Sequence, residues 1–335
     1  MRAAILYGKE DLRIEEIRES GLEEGEVRIT IEAALTCGTD LKTYKRGYHA
    51  RMIVPPAVFG HELSGVICER GRGVRGWNTG DRVVVANSAP CGTCFYCRNQ
   101  QENLCDDLLF LNGAYAERIV VPARIVEKNM LRIANETAFA DAALVEPLAC
   151  VIQGMADLNL RSGDRILILG AGPIGLMFVA LATAFHCNVT IAGRGQERLA
   201  TARRLGASRV VDSGNAETPE GDFDVVIEAV GRPETWEEAV RSVRKGGRVN
   251  FFGGCPKGTT VSFDTGIIHY SNLTLFASFH HTPKTVRQAL HHIESGTIKA
   301  ADFITGEHPL SRLPELFQSM TSSNKTIKTR VKINH

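Results

Sequence analysis

Arg165-Ile166-Leu167-Ile168-Leu169-Gly170-Ala171-Gly172-Pro173-Ile174-Gly175 decides how this chain folds. Ile166 to Leu169 form a short unbroken apolar run, as in a strand of a parallel sheet covered on both faces. The run passes directly into a G-x-G-x-x-G turn, and Leu176 to Phe185 then reads as an apolar helix. A strand before and a helix after are the context that makes this motif a dinucleotide fingerprint. Gly170 permits the tight turn, Gly172 lets a pyrophosphate approach the backbone, and Gly175 lets helix and strand pack closely. The phosphates are expected at the helix N-terminus, opened by Pro173 and Ile174.

Downstream the same texture recurs. Strands are expected over 188–192, 209–211, 223–228, 248–252 and 273–278, with helices over 196–205 and 234–243 between them. Strand and helix in alternation give a parallel, doubly wound α/β sheet. The second strand ends in Gly193-Arg194, where an NAD site usually presents an acid to the adenosine ribose. Here a glycine makes room and an arginine offers charge-assisted hydrogen bonds, a pair suited to the 2′-phosphate, so NADP is favoured over NAD.

Upstream the chain is irregular β. Glu26-Val27-Arg28-Ile29-Thr30-Ile31-Glu32-Ala33 alternates strictly, predicting a strand with one buried face. Cys37-Gly38-Thr39-Asp40 follows it, Thr39 and Asp40 being expected to cap a short helix through Leu41 to Tyr44. Phe59-Gly60-His61-Glu62-Leu63-Ser64-Gly65 sets an imidazole beside a carboxylate, and Val145-Glu146-Pro147-Leu148 supplies a second carboxylate near the start of a helix predicted over 138–156. Mixed S, N and O donors such as Cys37, His61, Glu62 and Glu146 suit a catalytic zinc, which keeps one position open. Cys91, Cys94, Cys97 and Cys105 follow a C-x2-C-x2-C-x7-C spacing. Four thiols there predict a closed, structural zinc stapling a lobe over 88–106. The scattered Cys68, Cys150, Cys187 and Cys255 are expected to be small buried hydrophobes.

A length of 335 residues suits two domains. Lys+Arg 39 against Asp+Glu 38 removes any general electrostatic case for nucleic acid or an anionic membrane as partner. Neither a signal-peptide h-region nor a spanning apolar run is present, so a cytoplasmic protein with a small-molecule ligand is expected.

These motifs together resemble the zinc-dependent medium-chain dehydrogenases, in the polyol (sorbitol-like) and threonine dehydrogenase branch. The resemblance covers nearly the whole chain. It rests most on Gly60-His61-Glu62-x2-Gly65-x5-Gly71, with Cys37-Gly38-Thr39-Asp40, the four-cysteine lobe, Glu146-Pro147-Leu148 and the glycine turn. It implies a GroES-like β-barrel catalytic domain over 1–150, completed by 284–335, and a Rossmann domain over 151–283. It implies one catalytic and one structural zinc, with Glu62 and Glu146 meeting the first directly, through water or in alternation. Thr39 would pass the proton outward, and Lys42 stands where a relay histidine often lies. Arg198, Gly253 within Phe252-Gly253-Gly254, and Phe279 within Ser278-Phe279-His280 are the implied cofactor contacts.

His280-His281 replaces the Arg-Tyr pair of sorbitol dehydrogenases; with Glu146, Tyr44 and His49 it is expected to face the substrate. The implied reaction is reversible oxidation of a secondary alcohol (polyol, cyclitol or sugar alcohol) to a ketone, with hydride passing to NADP or NAD. A threonine or amino-alcohol dehydrogenase is the alternative, and an NADPH-binding sensor or scaffold the non-enzymatic one. Relatives commonly pair through the last Rossmann strand, which implies a homodimer or homotetramer.

Overall fold

Along the strand Val27–Leu35 every second residue from Val27 to Ala33 is buried, the period the sequence predicts. This strand is the axis of the first sheet. It pairs antiparallel with Glu62–Arg70, with Arg118–Val121 and with the C-terminal strand Lys328–Lys332. Beyond Glu62–Arg70 lie Arg82–Val85 and Met130–Arg132, and beyond Lys328–Lys332 lies Ile304–Pro309. Register shifts at Arg28/Ile29 and Ile31/Ala33 bend the axis strand. Gly65 makes that bend possible, because a Cβ there would stand 2.1 Å from the Thr30 carbonyl oxygen. Phe59, Leu63, Tyr115 and Phe317 are fully or almost fully buried in the core beneath.

The computed structural model describes residues 1–49, 51–215, 222–322 and 326–333. Two compact units emerge: Met1–Ala149 with His281–His335, and Cys150–His280. The second unit holds six parallel strands, in the order Arg209–Asp212, Asn188–Gly193, Arg165–Leu169, Phe223–Glu228, Val243–Phe251, Thr274–Phe276. The order reverses at Arg165–Leu169, the point of such a sheet where a ligand settles. Pro173–Ala184, Gln196–Arg204, Pro233–Ser242 and the short Thr265–Tyr270 are intervening helices. Glu228 ties the end of its strand, accepting from the Val230 and Gly231 amides at 2.8 and 2.9 Å and from the Thr235 hydroxyl at 2.7 Å.

Three expectations change. The helix expected over 138–156 is two, Phe139–Ala142 and Val145–Leu158. The last strand shortens to Thr274–Phe276. Cys68 is exposed rather than buried, and Cys150, Cys187 and Cys255 are half-buried free thiols. Among the described residues no helix is long and apolar enough to cross a membrane.

Candidate metal and nucleotide sites

Register explains why distant residues meet in the first unit. Leu35, at the end of the axis strand, lies opposite Glu62 on one side and Arg330 on the other. Residues just past or at these ends, Cys37, His61, Glu62 and Lys328, therefore converge. Donor atoms of Cys37, His61 and Glu62 all lie within 4.8 Å of one another.

Cys37 is itself the N-cap of the helix Gly38–Arg46, in place of the expected Thr39, while Asp40 caps as expected, as the third-residue partner in a capping box. Its Sγ accepts from the Thr39 amide at 3.4 Å, while Asp40 Oδ2 accepts from the Cys37 amide at 3.3 Å. Asp40 thereby turns inward, where its Oδ1 lies 2.8 Å from His61 Nδ1. That contact fixes the ring and leaves Nε2 as the nitrogen positioned for a metal. Behind it, the Tyr115 hydroxyl donates to Asp40 Oδ2 at 2.5 Å. Gly60 has φ 87°, and its missing side chain is doubly required: a Cβ would stand 2.6 Å from the Tyr115 ring.

Glu62 is fully buried, and Lys328 Nζ donates to both its oxygens, at 2.6 and 2.5 Å, and to the Thr36 carbonyl at 3.0 Å. Glu146, also buried, lies outside the tight donor group but within reach of its charges. Burial first, then Glu62 and Asp40, push its pKa up to about 7 against the pull of His61 and Lys328. Burial opposes charge on His61, yet Asp40 and Cys37 carry its pKa well above the ordinary value. Burial likewise raises Glu62 despite Lys328. A thiol and three carboxyl groups around one ammonium form a pocket short of positive charge, and its soft and hard donors suit zinc.

The second cluster is local. Cys91 Sγ lies 3.9 Å from Cys97 Sγ, and Cys94 Sγ lies 3.8 Å from Cys105 Sγ. A tetrahedron with Zn–S arms of about 2.3 Å has edges of about 3.8 Å, so the thiols fit zinc as they stand. Amides of Gly92, Thr93 and Cys94 point at the sulfurs, and the Thr93 and Cys94 contacts help lower Cys91 to about 6.

In the second unit, Gly170 has φ 115° and its amide donates to the Ala192 carbonyl at 2.7 Å, which makes the turn. Gly175 packs so closely that a Cβ would lie 1.8 Å from the Gly170 oxygen. Around Gly172, the N-cap of the following helix, nothing stands within 4 Å of a Cβ, so the backbone is open to a pyrophosphate. Gly193 has a different purpose from the one expected: its missing side chain accommodates Ala171, 2.4 Å from a Cβ, and not a phosphate. Gly253 too is closed, by the Gly231 amide and Glu228 at 2.4 and 2.5 Å. Arg194 is exposed and has no hydrogen bond or ion pair among the described residues. Arg198 is half-buried, its stem against Gly195.

The other expected residues scatter. Thr39 is half-buried, whereas Lys42 is exposed. Tyr44 lies in the core against Phe317 (ring centroids 5.4 Å apart), not in a polar pocket. His49 Nδ1 accepts from the Arg51 and Met52 amides, so it organises its own loop. His281 is buried with Nε2 3.1 Å from Asn87 Oδ1 and 4.0 Å from Glu146 Oε1. His280, at φ 63°, stacks on Phe279, which is 42% exposed. Sequence reasoning missed Lys328, Tyr115 and Asn87, and took Asp40 only for a cap. A lysine amid the apolar-alternating tail Ile327-Lys328-Thr329-Arg330-Val331 was the one available signal.

A parallel sheet with an open glycine turn, together with a half-buried thiol beside a buried imidazole and carboxylate, defines a metal-dependent nicotinamide dehydrogenase. The alcohol dehydrogenase GroES-like domain family matches residues 23–130, and the zinc-binding dehydrogenase family matches 173–295. The chain is 31% identical to L-threonine 3-dehydrogenase of Bacillus velezensis, over 92% of this chain and 91% of that protein. It is 27% identical to sorbitol dehydrogenase of Bacillus subtilis, over 99% and 97%. A zinc-binding dehydrogenase of Sinorhizobium meliloti solved with NADP superposes with TM-score 0.90 at 27% identity, covering 99% of this chain and 98% of that one. The chain belongs to the zinc-dependent medium-chain dehydrogenases, in the branch holding polyol and threonine dehydrogenases.

Proposed function

We propose that this dehydrogenase interconverts a secondary alcohol of the polyol, cyclitol or sugar-alcohol type and its ketone, with NADP preferred over NAD. The convergence of Cys37, His61 and Glu62 donor atoms within 4.8 Å carries the reading. Cys37 and His61 would hold the catalytic zinc. Glu62, whose oxygens are both taken by Lys328, acts from behind, and Glu146 completes the set directly or through water. Cys91, Cys94, Cys97 and Cys105 would hold the second, structural zinc, giving two per chain. When bound, zinc lowers the pKa of an alcohol and nicotinamide accepts its hydride.

The chain's own residues supply position and proton handling. Asp40 keeps His61 in the tautomer that ligates through Nε2. Thr39, beside Cys37, is placed to hand a proton outward; exposed Lys42 then serves as a surface acceptor at most. Buried His281, beside Glu146, and its partner Asn87 present groups that pair with neutral hydroxyls. Lys328, whose charge acts on Glu146, is committed to Glu62, which supports a polyol over an amino acid. Arg194, just past the second Rossmann strand, and Arg198, in the first turn of the helix that follows, would receive the 2′-phosphate, while the opened backbone at Gly172 would receive the pyrophosphate. Free thiols throughout suit a reducing compartment such as the cytoplasm. The edge strand Thr274–Phe276 would pair two copies.

Zinc content together with a panel of polyols, inositols, sugar phosphates and amino alcohols, each with NADP and NAD, tests this. Two zincs per chain and turnover of a polyol are expected. One zinc and no turnover would favour an NADPH-binding scaffold, and turnover of threonine alone would move the substrate class. Arg194→Ala should raise KM for NADP about tenfold and leave that for NAD unchanged.

A further inference from the structure

Tyr115 is fully buried and its hydroxyl lies between two acceptors. Its Oη reaches Asp40 Oδ2 at 2.5 Å and the Leu35 carbonyl at 3.0 Å. Both partners accept, so the hydroxyl must donate, and the short distance to a carboxylate marks the charge-assisted bond. Among the described residues Asp40 Oδ2 otherwise meets only the Cys37 amide, at 3.3 Å. Its other oxygen holds His61 Nδ1. The orientation of the ligand imidazole therefore depends on a carboxylate whose rotation is fixed chiefly by one phenol.

The phenol is held in turn. Its ring lies over Gly60, packs edge-on to Phe59 (centroids 5.8 Å apart) and meets Phe317 at 6.1 Å. The Tyr115 amide donates to the Phe59 carbonyl at 2.9 Å, and the Ala4 amide donates to the Tyr115 carbonyl at 2.8 Å. Backbone and ring are thus locked to the segment that carries His61. An ordinary core aromatic would need only the ring: phenylalanine would fill the volume without leaving a buried hydroxyl to satisfy.

We propose that Tyr115 is a positioning residue of the metal centre, its hydroxyl aligning Asp40 so that His61 Nε2 is aimed for ligation. This rests on the assignment of Cys37 and His61 as zinc ligands. Tyr115→Phe keeps the ring and removes only the donor. Phe317→Leu loosens the same ring and keeps the hydrogen bond, which makes it the control for a merely structural role. Zinc affinity of the full-length chain is read by chelator competition, the four-cysteine lobe serving as internal reference, and ligand geometry by the visible absorption of the cobalt-substituted protein.

Tyr115→Phe should bind the non-lobe zinc about tenfold more weakly, the low end for partners of ligand histidines, and shift the cobalt bands. Phe317→Leu should lower the melting temperature and leave both readouts at wild-type values. A Tyr115→Phe affinity within twofold of wild type, or an equal loss in Phe317→Leu, overturns the proposal. Wild-type protein that binds zinc only at the lobe overturns instead the ligand assignment beneath it.

Discussion

Where Cys37, His61, Glu62 and Lys328 crowd the end of the first unit's sheet, the chemistry lies in side chains that are present; at Gly170–Gly175 of the second unit it lies in side chains that are missing. The first arrangement concentrates buried ionisable groups, and burial raises the pKa of Glu62 and Glu146 alike. The second exposes amides and the positive end of a helix, with no titrating group in the turn. The two should therefore fail differently: one to changes of charge or donor atom at constant volume, the other to the addition of a methyl group.

The sharpest break is His61→Ala. Turnover should fall by more than about a thousandfold, beyond the ~10–100-fold that partners of metal ligands command. NADPH binding, followed by fluorescence titration, should stay at the wild-type value, because the glycine turn shares no residue with the donor cluster. Retained turnover would remove the catalytic zinc from the account.

Lys328→Met tests the same unit through stability. It leaves Glu62 fully buried without its ammonium, and losing one partner of a buried pair costs about 3–5 kcal/mol. Pairing it with Glu62→Gln should restore most of the loss in urea unfolding. If the double variant is no more stable than the single one, the pair is not the source of the loss.

In the second unit the comparison can be made within one turn. Gly175→Ala drives a Cβ to 1.8 Å from the Gly170 oxygen, and overpacking of this kind costs about 1–3 kcal/mol. Gly172→Ala meets nothing within 4 Å, so its melting temperature should match wild type while NADPH affinity drops about tenfold. Calorimetry and titration on the two variants separate packing from ligand approach. Equal melting temperatures for both would contradict the close packing at Gly175.

What the sequence disclosed follows the same division. The turn and the four-cysteine lobe are written in consecutive or nearly consecutive residues, so spacing alone reveals donors and backbone conformation. Cys37, His61 and Glu62, whose donor atoms the fold brings together, were marked in the sequence by residue type. Lys328 did not, because its meaning depends on a strand returning from the C-terminus to pair beside Leu35, a register no local pattern encodes. Tyr115 reads as one more strand aromatic until its ring is seen over Gly60. Gly193 was read for the room it gives a ligand, whereas the room is taken by Ala171; a glycine's vacancy has no direction in a sequence. Tyr44 looked like a pocket residue only because the core beneath its helix, with Phe317, comes from the far end of the chain.

Asp224 gives the smallest test, as a carboxylate placed opposite in kind to Glu62 and Glu146. It stands at the start of its Rossmann strand, 16% exposed, bonded to Arg244 Nε at 2.6 Å and to the Arg165 amide at 2.8 Å. Burial opposes its charge, but the Arg165 amide and the Arg244 and Arg165 side chains outweigh burial and lower its pKa below the ordinary 3.8. A lowered folded value means that the unfolded chain binds the proton more readily. The stability Asp224 contributes is thus complete above pH 3.8 and disappears as pH falls through the lower folded value. Both guanidinium groups are substantially exposed, so Asp224→Asn should cost only about 1 kcal/mol near neutrality. The gap between variant and wild type in urea unfolding should close below pH 3.8. A gap that persists there would show that Asp224 stabilises through its hydrogen-bonding shape and not its charge, erasing the contrast with the acid-rich cluster of the first unit.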